Sequence, residues 1–192
     1  MGIKAALSKP FAALVVWQVS LWKKQALKAQ HRVFKKLIHA ARHTAFGKDH
    51  QFKHIQTYQE FKQHVPIRDY EQLRPYIERM VAGEENVLWP GKPAYFAKTS
   101  GTTSGVKYIP ISKESMPEHI KAARNALLTY IHETGDASFV DGKMIFLQGS
   151  PILDEHAGIP TGRLSGIVAH HVPAYLQKNR MPSYATNCIE DW

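Results

Sequence analysis

A chain of 192 residues, 44% hydrophobic and 21% charged, has a globular composition that excludes a disordered polymer and predicts one domain, or one and part of another. Its single cysteine, Cys188, excludes an intrachain disulfide and fits a reducing, cytoplasmic setting. The net charge of +9 would suit a nucleic acid or an anionic membrane, but twelve of the 25 Lys/Arg and only two of the 16 Asp/Glu precede residue 64, so the remainder is near neutral.

The first apolar run, "FAALVVWQVSLW" over Phe11–Trp22, follows Lys4 and Lys9 and precedes "KKQALKAQHRVFKK". It is shorter than the roughly 18 apolar residues that a spanning helix needs. No small-residue cleavage site follows it, so it does not read as a signal peptide. Stable membrane insertion is therefore not expected, although a helix lying at a membrane surface stays open. Helical spacing predicts one or two helices from Pro10 to Thr44, ending near Gly47. Thr57 and Glu60 have capping-box spacing, which predicts a helix through His64 that Pro66 stops. Tyr70–Val81 reads as another helix, with Pro75 near its start or at a kink and Gly83 past its end.

The pattern then turns extended. Pro93–Ala97 and Val106–Ile111 read as strands joined by a hydroxyl-rich loop, and Pro110 marks the second as an edge strand. A helix is expected from Lys113 to Thr134, capped by Ser112 and ended by Gly135. Met144–Leu147 reads as a short strand and Ile167–Ala169 as strand-like, inside an otherwise irregular stretch from Ile152 to Arg180. Helices, strand, loop, strand, helix, strand is the order of a mixed α/β fold. By charge and pattern the chain divides into a basic helical segment, residues 1–56, and a second region, residues 57–192, that carries the loop.

That loop, "KTSGTTSGVK" over residues 98–107, packs five hydroxyl residues and two glycines between two lysines. Glycines let several backbone N–H groups point at one anion, the hydroxyls add donors, and a lysine can neutralise phosphate charge. The arrangement suits the phosphates of ATP. It is not a Walker A loop, because only three residues separate Gly101 from Gly105, Lys107 does not follow the glycine directly, and a strand follows instead of a helix.

Thr99–Gly105 resembles the phosphate-binding signature of acyl-adenylate-forming enzymes, the firefly-luciferase and acyl-CoA-synthetase superfamily. The flanks "FKQHVPIRDYEQLRPYIERMVAGEENVLWPGKPAYFA" and "KYIPIS", with "IFLQGSP" and "GRLSGIVAHHVP" further on, resemble the auxin-responsive Gretchen Hagen family of acyl-acid amido synthetases in its bacterial branch. The likeness runs from about Thr57 onward. It implies the N-terminal part of an acyl-adenylate-forming large domain, an α/β fold with a mixed sheet and flanking helices, of which residues 57–192 are an incomplete piece. It also implies two reactions. A carboxylic acid attacks the α-phosphate of Mg-ATP (Mg2+ and ATP together) and pyrophosphate leaves, then an amine or amino acid takes the acyl group and AMP leaves. By motif position the resemblance assigns nucleotide contact to Ser100, Gly101, Thr102, Thr103, Ser104 and Gly105, and a charge role to Lys107. One departure stands out: only Val106 separates Gly105 from Lys107, where many relatives have two residues. The family's adenine-contacting motifs and mobile C-terminal domain lie beyond Trp192, so the chain is expected to be an N-terminal fragment inactive alone.

Other chemistry finds less support. His39/His43 and His50/His54 are spaced for one helix face, but no HExxH or cysteine cluster completes a zinc set. Gly162–Gly166 places Ser165 one position late for a nucleophile elbow. Arg124 reads as a solvated helix arginine. The alternative to the synthetase is a non-enzymatic basic module for anionic membrane or nucleic acid. Of these two the aromatic residues near the N-terminus disfavour nucleic acid, since they follow a helix face and not a stacking platform.

Overall fold

The computed structural model describes residues 2–99 and 105–189. Its elements in chain order are α1 (Ile3–Lys23), α2 (Ala26–Ala41), α3 (Ala45–Asp49), α4 (Tyr58–His64), α5 (Tyr70–Val81), β1 (Tyr95–Lys98), β2 (Tyr108–Ile111), α6 (Met116–Thr134), β3 (Met144–Ile145), β4 (Asp154–His156), β5 (Ile159–Gly162), α7 (Leu164–Ala169), α8 (Ala174–Gln177), β6 (Arg180–Met181) and α9 (Tyr184–Asn187). The chain folds as two compact units: residues 26–112 with 154–161, and residues 1–25 with 113–153 and 162–192. The basic segment 1–56 gives α1 to the latter and α2 and α3 to the former.

In the unit formed by residues 26–112 and 154–161, α2 buries Ile38 and Ala41 against Phe52 and Ile55, with Phe34, Phe46 and Phe61 around them. Thr44 joins α2 to α3: its hydroxyl donates to the Ala41 carbonyl at 2.7 Å and accepts from Gly47 N at 3.0 Å. Gly47 lies inside α3 and does not terminate it, contrary to the sequence expectation. The Thr57–Glu60 capping box forms as expected, and a second one, Asp69 with Gln72, starts α5. Both boxes satisfy backbone N–H groups that have no partner within the helix.

Thr57→Ala is expected to cost about 1 kcal/mol in a urea melt. The Glu60 carboxyl sits below its usual range because the backbone N–H groups of Gln56 and Thr57 donate to it. A depressed carboxylate contributes stability that is present above its unfolded-state value and is lost as pH falls through the folded one. Glu60→Gln should therefore flatten the acid side of the stability profile.

The sheet of this unit has the order β2-β1-β5-β4. β1 and β2 form an antiparallel hairpin with Phe96 opposite Pro110 and Lys98 opposite Tyr108. β2 is the edge strand, where Pro110 removes no needed donor. Beneath the sheet Phe96, Val87, Met80 and Ile159 make the core. β4 and β5 form a second hairpin, within a region that the sequence pattern left irregular. Its turn residues Ala157 and Gly158 both have positive φ, 49° and 79°, as a tight primed turn requires. Alanine is a poor advertisement for that conformation, which hid the hairpin.

In the other unit α1 lies along α6. Ala5, Ala12 and Val15 are buried with Leu128, Ile131 and Ala137, and Val19, Phe139 and Val140 pack around them. α1 begins at Ile3, well before Pro10, which is inside it. It is thus a 21-residue helix, long and apolar enough to cross a membrane by length and composition alone. The apolar run Phe11–Trp22 is therefore only part of the helix that forms. α6 starts at Met116, with Ser115 and not Ser112 at its N-cap, and Pro117 in its first turn. Proline lacks the N–H that a first turn leaves unpaired, which fixes the start there. Gly135 ends it at φ 70°.

β3 and β6 pair in parallel, Met144 with Arg180 and Ile145 with Met181. Ile167–Ala169 is the end of helix α7 and not a strand. Three apolar residues fit either period, and the decision comes from packing: α7 brings Gly166 so close to Ser150 that a Cβ would sit 2.1 Å from the Ser150 carbonyl oxygen.

Candidate functional site

The β1–β2 hairpin carries the hydroxyl-rich loop. Beyond the last strand pair, Lys98 with Tyr108, the Thr99 N–H donates to the Lys107 carbonyl at 3.1 Å. The chain therefore leaves and re-enters the hairpin side by side, and the loop is closed at its base. Ser100, Gly101, Thr102, Thr103 and Ser104 lie outside the described residues. Gly105 has φ 78°, and no atom of the described residues lies within 4 Å of where a Cβ would stand. Its need for glycine is conformational and not one of space, so any side chain there strains the backbone.

α5 supports the loop's exit. The Asp69 cap and its box set the first turn so that Tyr70 and Glu71 come beside β2. The Tyr108 N–H donates to the Tyr70 hydroxyl at 2.9 Å, and that hydroxyl points back to the Tyr108 carbonyl at 3.4 Å. An edge-strand residue that sheet pairing leaves open is thereby held by a side chain. Lys107 Nζ lies 5.1 Å from the Tyr70 ring centroid and 3.8 Å from a Glu71 carboxylate oxygen. Glu71 also pairs with Arg74 at 2.7 Å.

Lys98, at the other end of the loop, pairs with Asp154 on β4. The hydrogen bond and charge of Lys98 hold the Asp154 carboxyl below its usual range. Next to it the Tyr108 hydroxyl meets His156 Nε2 at 3.2 Å. Both lysines flanking the loop thus have carboxylate neighbours in the structure, and both pairs are partly exposed. Exposed pairs contribute about 1 kcal/mol or less, so a phosphate group can compete for either lysine.

Of the seven residues singled out for nucleotide contact, the structure describes Gly105 and Lys107 and places them at the loop's exit. Sequence reasoning missed Tyr70, Glu71, Asp154 and His156. Tyr70 and Glu71 stand inside the flank that carried the family likeness, but nothing local marks them as neighbours of Lys107. Asp154 and His156 depended on the hidden β4–β5 hairpin. Among the described residues no three His, Cys, Asp or Glu side chains gather in a way that could hold an ion. His170 instead donates from Nε2 to the Pro151 carbonyl at 2.7 Å, a structural bond.

Residues 17–191 match the N-terminal domain of the GH3 family. The chain belongs to the GH3 family. It is 38% identical over 80 residues to indole-3-acetic acid-amido synthetase GH3.15 of Arabidopsis thaliana, which covers 40% of this chain and 13% of that protein. It is 29% identical over 105 residues to jasmonoyl--L-amino acid synthetase JAR4 of Nicotiana attenuata, covering 53% and 18%. Two solved structures share the fold. GH3.15 acyl acid amido synthetase superposes with a TM-score of 0.77 at 20% identity, over 94% of this chain and 32% of that one. AtGH3.15 in complex with 2,4-DB gives 0.70 at 21% identity, over 90% and 31%. The GH3 chain described here is therefore mixed α/β, mostly helical with small sheets, and corresponds to the N-terminal part of such a synthetase. It spans less than a third of the length of these relatives.

Proposed function

We propose that this GH3 chain is the N-terminal, phosphate-holding part of an ATP-dependent acyl acid amido synthetase of the bacterial branch, working in the cytoplasm. The observation that carries the proposal is a glycine- and hydroxyl-rich loop closed at its base by the β1–β2 hairpin, in a chain of this family. In the first reaction a carboxylate oxygen attacks the α-phosphorus of ATP. The bond from that phosphorus to the bridging oxygen breaks and pyrophosphate departs; Mg2+, brought in with ATP, would supply charge neutralisation. In the second an amine nitrogen attacks the acyl carbon, the bond to the AMP oxygen breaks, and the amine gives up a proton.

The part of this chain is to hold the leaving pyrophosphate. Donors fixed where charge develops favour the transition state over the ground state. Ser100, Thr102, Thr103 and Ser104 supply hydroxyls, Gly101 and Gly105 let the backbone approach, and Lys107 supplies a cation once it leaves Glu71. The acyl acid and the amine are small molecules. Turnover through both reactions is expected only from a polypeptide of the relatives' length, and binding is what this chain is expected to show.

Calorimetric titration of the 192-residue chain tests the reading. Mg-ATP and inorganic pyrophosphate should both bind, and each should displace the other. Lys107→Ala should weaken both about tenfold, the contribution of a charge-assisted hydrogen bond. Failure of the chain to bind either ligand would sink the proposal.

A further inference from the structure

The outer face of α1 carries more exposed apolar surface than a helix in a settled protein core. Leu7, Leu14 and Leu21 recur every seven residues, with Phe11 and Trp17 between them and Trp22 alongside. Their exposure runs from 45% for Phe11 to 66% for Leu7. At 3.6 residues per turn Leu7, Leu14, Trp17 and Leu21 point away from Ala5, Ala12, Val15 and Val19, the residues that pack on α6, while Phe11 and Trp22 stand at the border between the two faces. The helix is thus held by its inner face and presents a second apolar stripe outward. Within that unit, no other described element covers the stripe to the extent that these side chains become buried.

Charge identifies what would cover it. The first acidic residue of the chain is Asp49, so α1 has none. By helical position Lys4 shares one border of the stripe with Trp22, and Lys24 shares the other with Trp17. From α6, Arg124 brings its guanidinium 5.9 Å from the centroid of the Phe11 ring.

An apolar stripe with tryptophans and cations along its borders is what a bilayer interface takes up: acyl chains against leucine, indoles at the headgroup level, phosphates at the lysines. A second copy of the chain would set one basic border against another, and a nucleic acid would gain nothing from the leucines.

We infer that the outer face of α1, from Leu7 to Trp22, docks this protein onto an anionic lipid bilayer, lying along its surface. Spanning would require stripping Ala5, Ala12 and Val15 from α6. The inference does not rest on phosphate binding by the loop.

Sedimentation of the 192-residue chain with lipid vesicles tests it. Vesicles of phosphatidylcholine with phosphatidylglycerol should carry the protein down at least about tenfold better than phosphatidylcholine alone, and added salt should release it. Brominated acyl chains should quench Trp17 and Trp22, and Trp17→Phe with Trp22→Phe should remove that quenching while binding persists. Leu14→Asp with Leu21→Asp should weaken binding at least about tenfold with an unchanged circular dichroism spectrum. Should that pair unfold the protein, quenching in the unaltered chain decides alone. No sedimentation overturns the inference, whether gel filtration then shows a monomer or a self-associated chain. So does an absence of quenching, or retention through alkaline carbonate, which marks a spanning helix.

Discussion

Gly47→Ala is expected to destabilise the protein by about 3–5 kcal/mol, or to leave it insoluble, because the new methyl group has nowhere to go. A Cβ built on Gly47 lies 2.0 Å from the Ala41 carbonyl oxygen and 2.9 Å from its carbon, and a third backbone atom, of Arg42, is 3.2 Å away. Backbone cannot swing aside as the end of a long side chain can. The carbonyl in the way is also the one that accepts from the Thr44 hydroxyl, and the Thr44 side chain in turn accepts from Gly47 N. Moving it breaks the joint between α2 and α3, which seats Ile38, Ala41 and Phe52 in one cluster.

Gly105→Ala makes the informative contrast. Among the described residues nothing crowds that glycine, and its positive φ is what a side chain would strain, so about 1 kcal/mol is expected. Urea melts of the two variants measure the difference directly. Equal effects would mean that the α2–α3 joint is not packed as described.

The same glycine shows where sequence reading stops. A glycine after a helical run is expected to end it, and the expectation placed the end of the N-terminal helices near Gly47. Steric necessity against a residue six positions earlier leaves no local mark. Features with short-range causes were legible: the Thr57–Glu60 box, the edge strand marked by Pro110, the helix end at Gly135. Each depends on residues within a few positions. The loop stands out in the sequence by its composition alone, while Ser100–Ser104 lie outside the described residues.

What surrounds the loop was not legible. Glu71 and Asp154 reach the two flanking lysines from 36 and 56 positions away, and no pattern in either segment announces the meeting. The hairpin that presents Asp154 and His156 turns on an alanine with positive φ, an exception to turn chemistry that only tertiary context can hold in place. The outer stripe of α1 failed differently. Its periodicity is visible, but which of two apolar faces is buried depends on α6, about a hundred residues later.

Phe96→Ala carries the second large expected effect, and it links packing to the site. Phe96 is fully buried and belongs to the cluster with Met80, Val87 and Ile159. The edge of one ring meets the face of the other between Phe96 and Tyr108, 6.0 Å apart at 69°. Removing a buried phenyl ring costs about 3–5 kcal/mol, from lost burial and the cavity left behind. The loss falls on β1, an inner strand two residues from the loop, and on the partner strand through Tyr108. That residue is also the one clamped by Tyr70 and touched by His156. Amide exchange should therefore quicken at Tyr108, whose N–H is held by Tyr70, and at Thr99, whose N–H closes the loop's base, by more than at Gly47 in the helical joint of the same unit. Phe96→Leu keeps most of the volume and should cost about 1.5 kcal/mol or less, with exchange at Tyr108 and Thr99 rising in proportion. Equal acceleration across the unit would mean that its core opens only as a whole, and that the hairpin does not have a stability of its own set by Phe96.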